Sequence, residues 1–258
     1  MHTTVLSRIA AAAALLFAAG SAVAADLTVS AASSLTNAFK EIAQGYEAQY
    51  PASKVALNFG ASGALLQQLS KGAPVDVFAS ADQETMDTAQ QQGLVKAANR
   101  HDFVRNTLVL IVPIVPIVPL DSASAPKRLD DLAQPGIKRI AIGIPASVPV
   151  GRYSKHALEA AKLWTAVEPK AINTQNVRQS LDYVARGEVD AGFVYATDAI
   201  LMKDKVKIAF EVPLDVAIRY PIARTAASAN AVDAERFVSY VLSPAGQAVL
   251  ARFGFRQP

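Results

Sequence analysis

The sequence predicts an α/β protein with two lobes, each a mainly parallel sheet covered by helices. The first observation is that strand-like and helix-like patterns alternate along the 258 residues after the N-terminal segment. A β-α-β order of this kind produces parallel strands with helices on both faces of the sheet. The second is that the alternation starts again near residue 107. The third is length, since roughly 230 residues after the leader exceed a typical single domain.

Residues 1–24 have the pattern of a signal peptide. Arg8 precedes an apolar run from Ile9 to Ala19, and mostly small residues follow up to Ala25. The run is shorter than the ~20 residues that a membrane span requires, so a membrane anchor is the weaker interpretation. We expect cleavage after Ala24 and export of a soluble mature protein.

The first unit contains three predicted strand-helix pairs. Its strands are predicted at 27–31, 55–59 and 75–79. Apolar residues between Leu35 and Tyr50 recur at three- and four-residue spacing, which predicts an amphipathic helix ended by Pro51. A shorter helix follows around residues 65–69 and closes at Gly72, and Asp82 is expected to cap a third helix that ends at Gly93.

The second unit and the C-terminal segment continue the alternation. Strands are predicted at 107–112, 139–143, 191–195 and 206–210. Helices are predicted at 153–163, at 177–186 with Asn176 as its cap, and at 232–242 and 244–253. Residues 111–119 repeat Ile-Val-Pro three times. Because proline at every third residue is excluded from a central strand, we interpret the repeat as an extended connector lengthened by duplication, in preference to a ligand for a proline-recognising domain.

Three predicted helix starts carry hydroxyl groups or small residues, at 31–38, 60–64 and 148–151. A helix start has unpaired N–H groups and about half a positive charge, so it binds an anion without a basic side chain. Ser34 and Ser62 each follow a predicted strand, at the end of the sheet where α/β proteins bind ligands. Ordinary N-capping is the alternative for each serine. In the third segment only backbone N–H groups such as that of Val150 are available, and we expect Arg152 to be solvated.

Two further positions are candidates on weaker grounds. Residues 176–178 form another predicted helix start, which includes Val177. Tyr195 ends an apolar strand, and its phenol is available either to a ligand or to a structural partner.

Composition and motifs argue against several other functions. A net charge of +3 without a basic stripe argues against nucleic-acid binding. The chain has no cysteine, and His101, in a polar connector, and His156 are both expected at the surface. Residues 60–64 do not complete the Gly-x-Ser-x-Gly pattern of esterases, and His, Asp and Glu lack metal-ligand spacing. We therefore predict no enzyme activity, no metal site and no cofactor.

Several segments resemble the periplasmic molybdate-binding proteins that supply ABC importers. The matching segments, which extend over nearly the whole mature chain, are 31–38, 72–82, 148–153, 192–199 and 253–255. The resemblance implies the two-lobed periplasmic binding protein fold, with mixed, mainly parallel sheets and the ligand in the inter-lobe cleft. It further implies that residues 25–106 and 222–258 form lobe I and residues 107–221 form lobe II.

The resemblance also implies a ligand set. Ser34 and Ser62 are expected to donate from hydroxyl and backbone, Val150 and Val177 from the backbone N–H alone, and Tyr195 from its phenol. The Ser-Leu-Thr-Asn match favours Ser34 over its neighbour Ser33. The expected ligand is molybdate or tungstate, with molybdenum bound only as the oxyanion.

The implied biology is that of a periplasmic carrier. We expect a monomer that delivers its anion to the membrane permease of an ABC transporter. The alternatives are a carrier for another oxyanion such as sulfate, a carrier for ferric ion or an organic acid, and an enzyme or sensor on the same scaffold. A ferric carrier requires tyrosine pairs with carboxylates or histidine in the cleft, and only Tyr195 is well placed for that role.

Overall fold

The computed structural model describes residues 25–114 and 125–258. The expected signal peptide, 1–24, and most of the Ile-Val-Pro repeat lie outside the described residues. No helix in the described part of the chain is long and apolar enough to cross a membrane.

The described residues form ten strands and nine α-helices. The strands are β1 Ala25–Ala32, β2 Ser53–Gly60, β3 Val77–Ala79, β4 Val95–Asn106, β5 Leu108–Pro113, β6 Ile140–Gly143, β7 Ala171–Thr174, β8 Ala191–Tyr195, β9 Val206–Glu211 and β10 Ile218–Thr225. The helices are α1 Thr36–Gln49, α2 Ser62–Ser70, α3 Gln83–Gln91, α4 Pro149–Ala160, α5 Trp164–Val167, α6 Val177–Ala185, α7 Ala196–Leu201, α8 Ala231–Leu242 and α9 Pro244–Arg252. Short 3-10 turns lie at Ser33–Leu35, Leu129–Ala133 and Glu168–Lys170.

The strands form two five-stranded sheets of the same design. The orders are β2-β1-β3-β10-β4 and β7-β6-β8-β5-β9. In each sheet the fourth strand, β10 or β5, is antiparallel to both of its neighbours, and the other strands share one direction. The predicted fold class, with mixed and mainly parallel sheets flanked by helices, is therefore confirmed. We call each sheet with its helices the first and the second lobe.

The chain crosses between the lobes twice, once between β4 and β5 and once between β9 and β10. The C-terminal helices then pack on the first lobe, where the Phe237 ring of α8 lies 6.2 Å from Phe39 and 5.2 Å from Tyr46 of α1. The lobe boundary expected between residues 221 and 222 falls inside β10, which is hydrogen-bonded to β3 and β4 along its length. The sheets place the return to the first lobe before Ile218.

Three strands were not predicted, namely β4, β7 and β10. Most side chains of β4 are exposed or half-buried, so its sequence has the polar character of a loop. His101 therefore lies in a strand and not in a connector, although its side chain is exposed as expected, and so is that of His156. β10 contains Pro221 at a register shift, which hides its strand pattern.

Two further boundaries differ from the sequence expectations. α4 begins at Pro149, four residues before the predicted start, because proline is well suited to the first position of a helix. The Ile-Val-Pro repeat begins inside β5, which lies between β8 and β9. Pro113 is the last residue of that strand, so the first proline still stands outside the strand interior.

Candidate functional site

The starts of four helices, two from each lobe, meet at one small cavity. The cavity is small and has residues of both lobes on its lining. Its lining consists of Ala32, Ser33, Ser34, Gly60, Ala61, Ser62, Ala81, Val148, Pro149, Val150, Val177 and Tyr195. The five residues predicted from the sequence are all on this lining, and each is buried. The fold therefore brings together groups that are up to 161 positions apart, from Ser34 to Tyr195.

Ser34 lies in the 3-10 turn that leads from β1 into α1. Its Oγ is 3.1 Å from the Tyr220 hydroxyl oxygen, which also accepts a hydrogen bond from the Asn106 side chain at 3.2 Å. The helix cap positions here are Ala32 and Leu35, so Ser34 does not cap its helix. Ser33 lines the cavity as well, and the preference for Ser34 continues to rest on the sequence match.

Ser62 is the first residue of α2 and is fully buried. The cap residue is Ala61, so ordinary N-capping does not explain this serine either. The Ser62 Oγ accepts a hydrogen bond of 3.0 Å from the Ala81 N–H. Because a backbone N–H can only donate, the hydroxyl hydrogen of Ser62 remains available for an acceptor in the cavity.

Val150 and Val177 contribute backbone N–H groups from the second lobe. At α6, the side chain of the cap residue Asn176 accepts from the N–H groups of Arg178 and Gln179 at 3.0 and 3.1 Å. That cap leaves the N–H of Val177, the first residue of the helix, to the cavity. At α4, Pro149 has no N–H, so Val150 provides the first donor of the helix.

The start of α4 packs tightly against the end of β6. A Cβ atom at Gly151 would overlap the Gly143 carbonyl, so only glycine permits this approach. The close packing holds the N–H of the neighbouring Val150 at the cavity wall.

Tyr195 provides the most isolated polar group on the lining. Its side chain is buried, and its hydroxyl has no hydrogen-bond partner among the described residues. Burial raises the pKa of the Tyr195 hydroxyl well above its usual value, so the group stays protonated. An unpartnered buried hydroxyl costs free energy, and it is relieved by a ligand that accepts a hydrogen bond.

Two arginines stand beside the backbone donors but are not on the cavity lining. The expectation that Arg152 is solvated is wrong, because its Nε and Nη2 lie 2.8 and 2.5 Å from Oδ2 of the buried Asp82 in the first lobe. The Arg178 Nε lies 2.6 Å from the buried carboxylate of Asp198. Each positive charge is therefore paired with a carboxylate outside the cavity.

Two opposing effects shift the pKa of the Asp198 carboxyl. Burial raises the pKa of the Asp198 carboxyl to about 6, and the Arg178 guanidinium opposes that increase. Arg178 also reaches the first lobe, where its Nη1 and Nη2 donate to Asn37 Oδ1 at 2.8 Å and to the Ser34 carbonyl at 3.2 Å.

The sequence analysis missed Tyr220, Asn106 and the inter-lobe role of Asp82. Tyr220 and Asn106 lie in β10 and β4, the strands that the sequence did not reveal, and neither is near a helix start. Asp82 was identified only as a helix cap. That role is confirmed, since its side chain accepts from the Thr85 N–H.

The identified groups suit the binding of an anion. Residues that carry hydroxyl and N–H donors line one small cavity from both lobes, and the helix starts add positive potential without a net charge. In the described part of the chain, His, Asp and Glu do not cluster in a way that could hold a metal ion. Donors of this kind are suited to the oxygens of an oxyanion.

Comparisons with known proteins identify the family of the chain. A family model for bacterial extracellular solute-binding protein matches residues 27–256. The chain is 35% identical over 241 residues to the molybdate-binding protein ModA of Escherichia coli, covering 92% of each chain. The solved periplasmic molybdate-binding protein of Azotobacter vinelandii superposes with a TM-score of 0.76 at 25% identity, covering 90% of this chain and all of that one.

A third comparison limits what the fold alone determines. The sulfate-binding protein SubI from Mycobacterium tuberculosis also superposes with a TM-score of 0.76, at 18% identity, covering 90% of this chain and 86% of that one. The same architecture is thus found in proteins named for different anions, and the choice of anion depends on the residues at the site.

Proposed function

Because the chain belongs to the family of bacterial extracellular solute-binding proteins, we propose that it captures molybdate and delivers it to an ABC importer. The observation that carries the proposal is the convergence of neutral donors from both lobes on one small cavity. The similarity to ModA of Escherichia coli over nearly the whole chain supports molybdate as the anion. The protein then acts in the periplasm as a monomer, with a membrane permease as its partner.

The proposed ligand groups are the five that the sequence suggested. The hydroxyls of Ser34, Ser62 and Tyr195 and the N–H groups of Val150 and Val177 donate to the oxygens of the anion. Such bonds are charge-assisted, and they are stronger in an enclosed cleft than in water. Tungstate is a tetrahedral dianion of closely similar size, so the proposal includes it.

Sulfate is the second candidate, because it presents the same charge to the same donors. It is smaller, however, and a cavity sized for molybdate leaves some donors without an acceptor, at a cost of ~1–3 kcal/mol each. The proposal also excludes catalysis. In the described part of the chain, His101 and His156 are both exposed, and neither is a hydrogen-bond partner of Ser34 or Ser62.

Isothermal titration of the purified protein with molybdate, tungstate, sulfate and phosphate tests the proposed ligand. We expect tight binding of molybdate and tungstate and much weaker binding of the two smaller anions. Sulfate bound as tightly as molybdate would contradict the proposed specificity, and no binding of any oxyanion would overturn the proposal.

A pair of substitutions tests how the site binds. Ser62→Ala removes a hydroxyl donor and is expected to cost ~1–3 kcal/mol of molybdate affinity. Val150→Ala keeps the backbone N–H and is expected to change the affinity little. Equal losses in the two variants would show that Val150 does not act through its backbone alone.

A further inference from the structure

A chain of hydrogen bonds leads from the first inter-lobe crossing to Ser34. It begins at the N–H of Thr107 and continues through the side chains of Asn106 and Tyr220 to the Ser34 Oγ. Asn106 is the last residue of β4 and Tyr220 lies in β10, so the chain joins the crossing to the cavity wall.

Asn106 fixes which group donates and which accepts along this series of hydrogen bonds. The Thr107 N–H lies 2.9 Å from one side-chain atom of Asn106, and since an N–H only donates, that atom is the amide oxygen. The Asn106 NH₂ group then faces the other way. It donates to the Thr197 Oγ1 at 2.9 Å and to the Tyr220 hydroxyl oxygen at 3.2 Å.

The bond between Tyr220 and Ser34 takes its direction from this constraint. At 3.1 Å either hydroxyl is able to donate to the other. If Ser34 donated, the Tyr220 oxygen would accept twice and its hydrogen would have no acceptor among the described partners. Tyr220 is fully buried, and an unsatisfied buried O–H is costly. Tyr220 therefore donates, and the Ser34 oxygen accepts.

We propose that Asn106 and Tyr220 are positioning residues that make Ser34 a hydrogen-bond donor toward the cavity. With its oxygen engaged by Tyr220, the Ser34 hydroxyl points its hydrogen at the anion. An anion presents only acceptors, so a serine turned to offer its lone pairs would repel it. The inference rests on the proposed oxyanion site.

Ser62 is also oriented as a hydrogen-bond donor toward the cavity, but by a single backbone hydrogen bond. Its oxygen accepts from the backbone N–H of Ala81, which substitution does not remove. The two serines are therefore both oriented as donors, one by the backbone and one by side chains, and only the second arrangement is open to mutation.

Asn106→Asp provides the sharpest test, because it reverses the donor and acceptor roles in the hydrogen bonds from residue 106 to Ser34. One carboxylate oxygen still accepts from the Thr107 N–H, while the other, as a charged acceptor, takes the Tyr220 hydrogen in preference to the neutral Ser34 oxygen. Ser34 must then donate to Tyr220 and turn its lone pairs toward the anion. We expect molybdate affinity, measured by titration calorimetry, to fall more than about tenfold.

A double-mutant cycle separates this reversal from the added negative charge. The charge acts in every background, whereas the reversal requires both Tyr220 and Ser34. The Asn106→Asp effect on affinity should therefore shrink by about tenfold in a Tyr220→Phe or a Ser34→Ala background. A disturbance that does not act through Tyr220 and Ser34 would leave the Asn106→Asp effect the same in every background.

Two control variants make the same chemical changes at positions outside this series of hydrogen bonds. Tyr46→Phe removes another buried tyrosine hydroxyl, which donates to the Asp233 carbonyl at 3.3 Å in the first lobe. Asn58→Asp adds a charge on β2, outside the chain of bonds. Both are expected to retain wild-type affinity, and circular dichroism melting of every variant verifies that it is folded.

The outcomes distinguish this inference from the proposed function. Coupling among Asn106, Tyr220 and Ser34 supports the inference. Equal Asn106→Asp effects in all backgrounds would overturn it, as would a Ser34→Ala variant that binds molybdate like the wild type, and in both cases the proposed function would stand. A wild-type protein that binds no oxyanion would overturn both.

Discussion

Tyr195 is on the cavity lining and packs edge-to-face with Tyr220, with ring centroids 5.8 Å apart, but the two hydroxyls have different surroundings. The Tyr220 hydroxyl has Ser34 and Asn106 as partners, whereas the Tyr195 hydroxyl has none among the described residues. Both rings are buried. The same chemical group therefore stabilises the fold at one position and is available to a ligand at the other.

This difference predicts opposite consequences for two identical substitutions. Tyr195→Phe should lower molybdate affinity about tenfold while leaving the ligand-free free energy of unfolding unchanged or slightly higher. Tyr220→Phe should lower the ligand-free unfolding free energy by about 1 kcal/mol. Urea unfolding followed by circular dichroism, together with titration calorimetry, measures both quantities. A Tyr195→Phe variant that is as destabilised as Tyr220→Phe would contradict the assignment.

At the scale of elements, α4 and α6 leave their first N–H groups unpaired next to the cavity by different means. In α4 the first position is Pro149, so the donor is the second residue, Val150. In α6 the Asn176 side chain accepts from the second and third N–H groups of the helix and leaves the first, that of Val177. The cap thus stabilises the helix without occupying the donor that faces the cavity.

The helix start at Val177 permits removal of a single N–H. Val177→Pro places proline at the first position of α6, where it is tolerated, and deletes only the proposed donor. We expect about tenfold weaker molybdate binding with an unchanged helix content. Val177→Ala keeps the N–H and serves as the control. If both variants bind molybdate equally well, the Val177 N–H is not a ligand.

At the scale of the whole molecule, Asp82 divides its two oxygens between the lobes. Oδ1 accepts from the Ser80 hydroxyl and the Thr85 N–H within the first lobe, at 3.1 and 3.2 Å. Oδ2 accepts from Arg152 of the second lobe. A further inter-lobe bond of 3.0 Å runs from the Gly63 N–H to the Ser147 carbonyl. These contacts lie at the N-terminal ends of α2, α3 and α4 and hold the two lobes together around the cavity.

Asp82→Asn separates the two roles of this residue. Asparagine is a good helix cap, so α3 and the first lobe should remain intact. Its NH₂ group cannot accept from Arg152, so the closed arrangement loses the Asp82–Arg152 ion pair, and molybdate affinity should fall about 10- to 100-fold. Calorimetry gives the affinity, and small-angle scattering should show a larger radius of gyration without ligand.

The control for this variant is Asp87→Asn. Asp87 makes an exposed 2.5 Å ion pair with Arg100 within the first lobe, so the charge change is the same but the lobes are not affected. Affinity and scattering are expected to match the wild type. An Asp82→Asn protein that behaves in the same way would show that the ion pair does not contribute to closure.

Prediction from the sequence succeeded where the cause was local. The strand-helix alternation and the cap residues Asp82 and Asn176 follow from patterns within a few residues, and the structure contains them. Strand β4 was missed because its exposed faces remove the apolar pattern, and β10 because Pro221 interrupts it. The residue patterns offered Val177 and Tyr195 on weaker grounds, the family resemblance assigned them as ligands, and both lie on the cavity lining.

The sequence by itself determined which backbone groups are free to donate, because a helix start leaves its first N–H groups unpaired whatever lies around it. Only the tertiary structure decided what those groups face and how their neighbours are oriented. Arg152 meets a carboxylate 70 positions away, and Ser34 meets a tyrosine 186 positions away. The direction of a hydroxyl and the pairing of a charge depend on such distant partners, which no local pattern specifies.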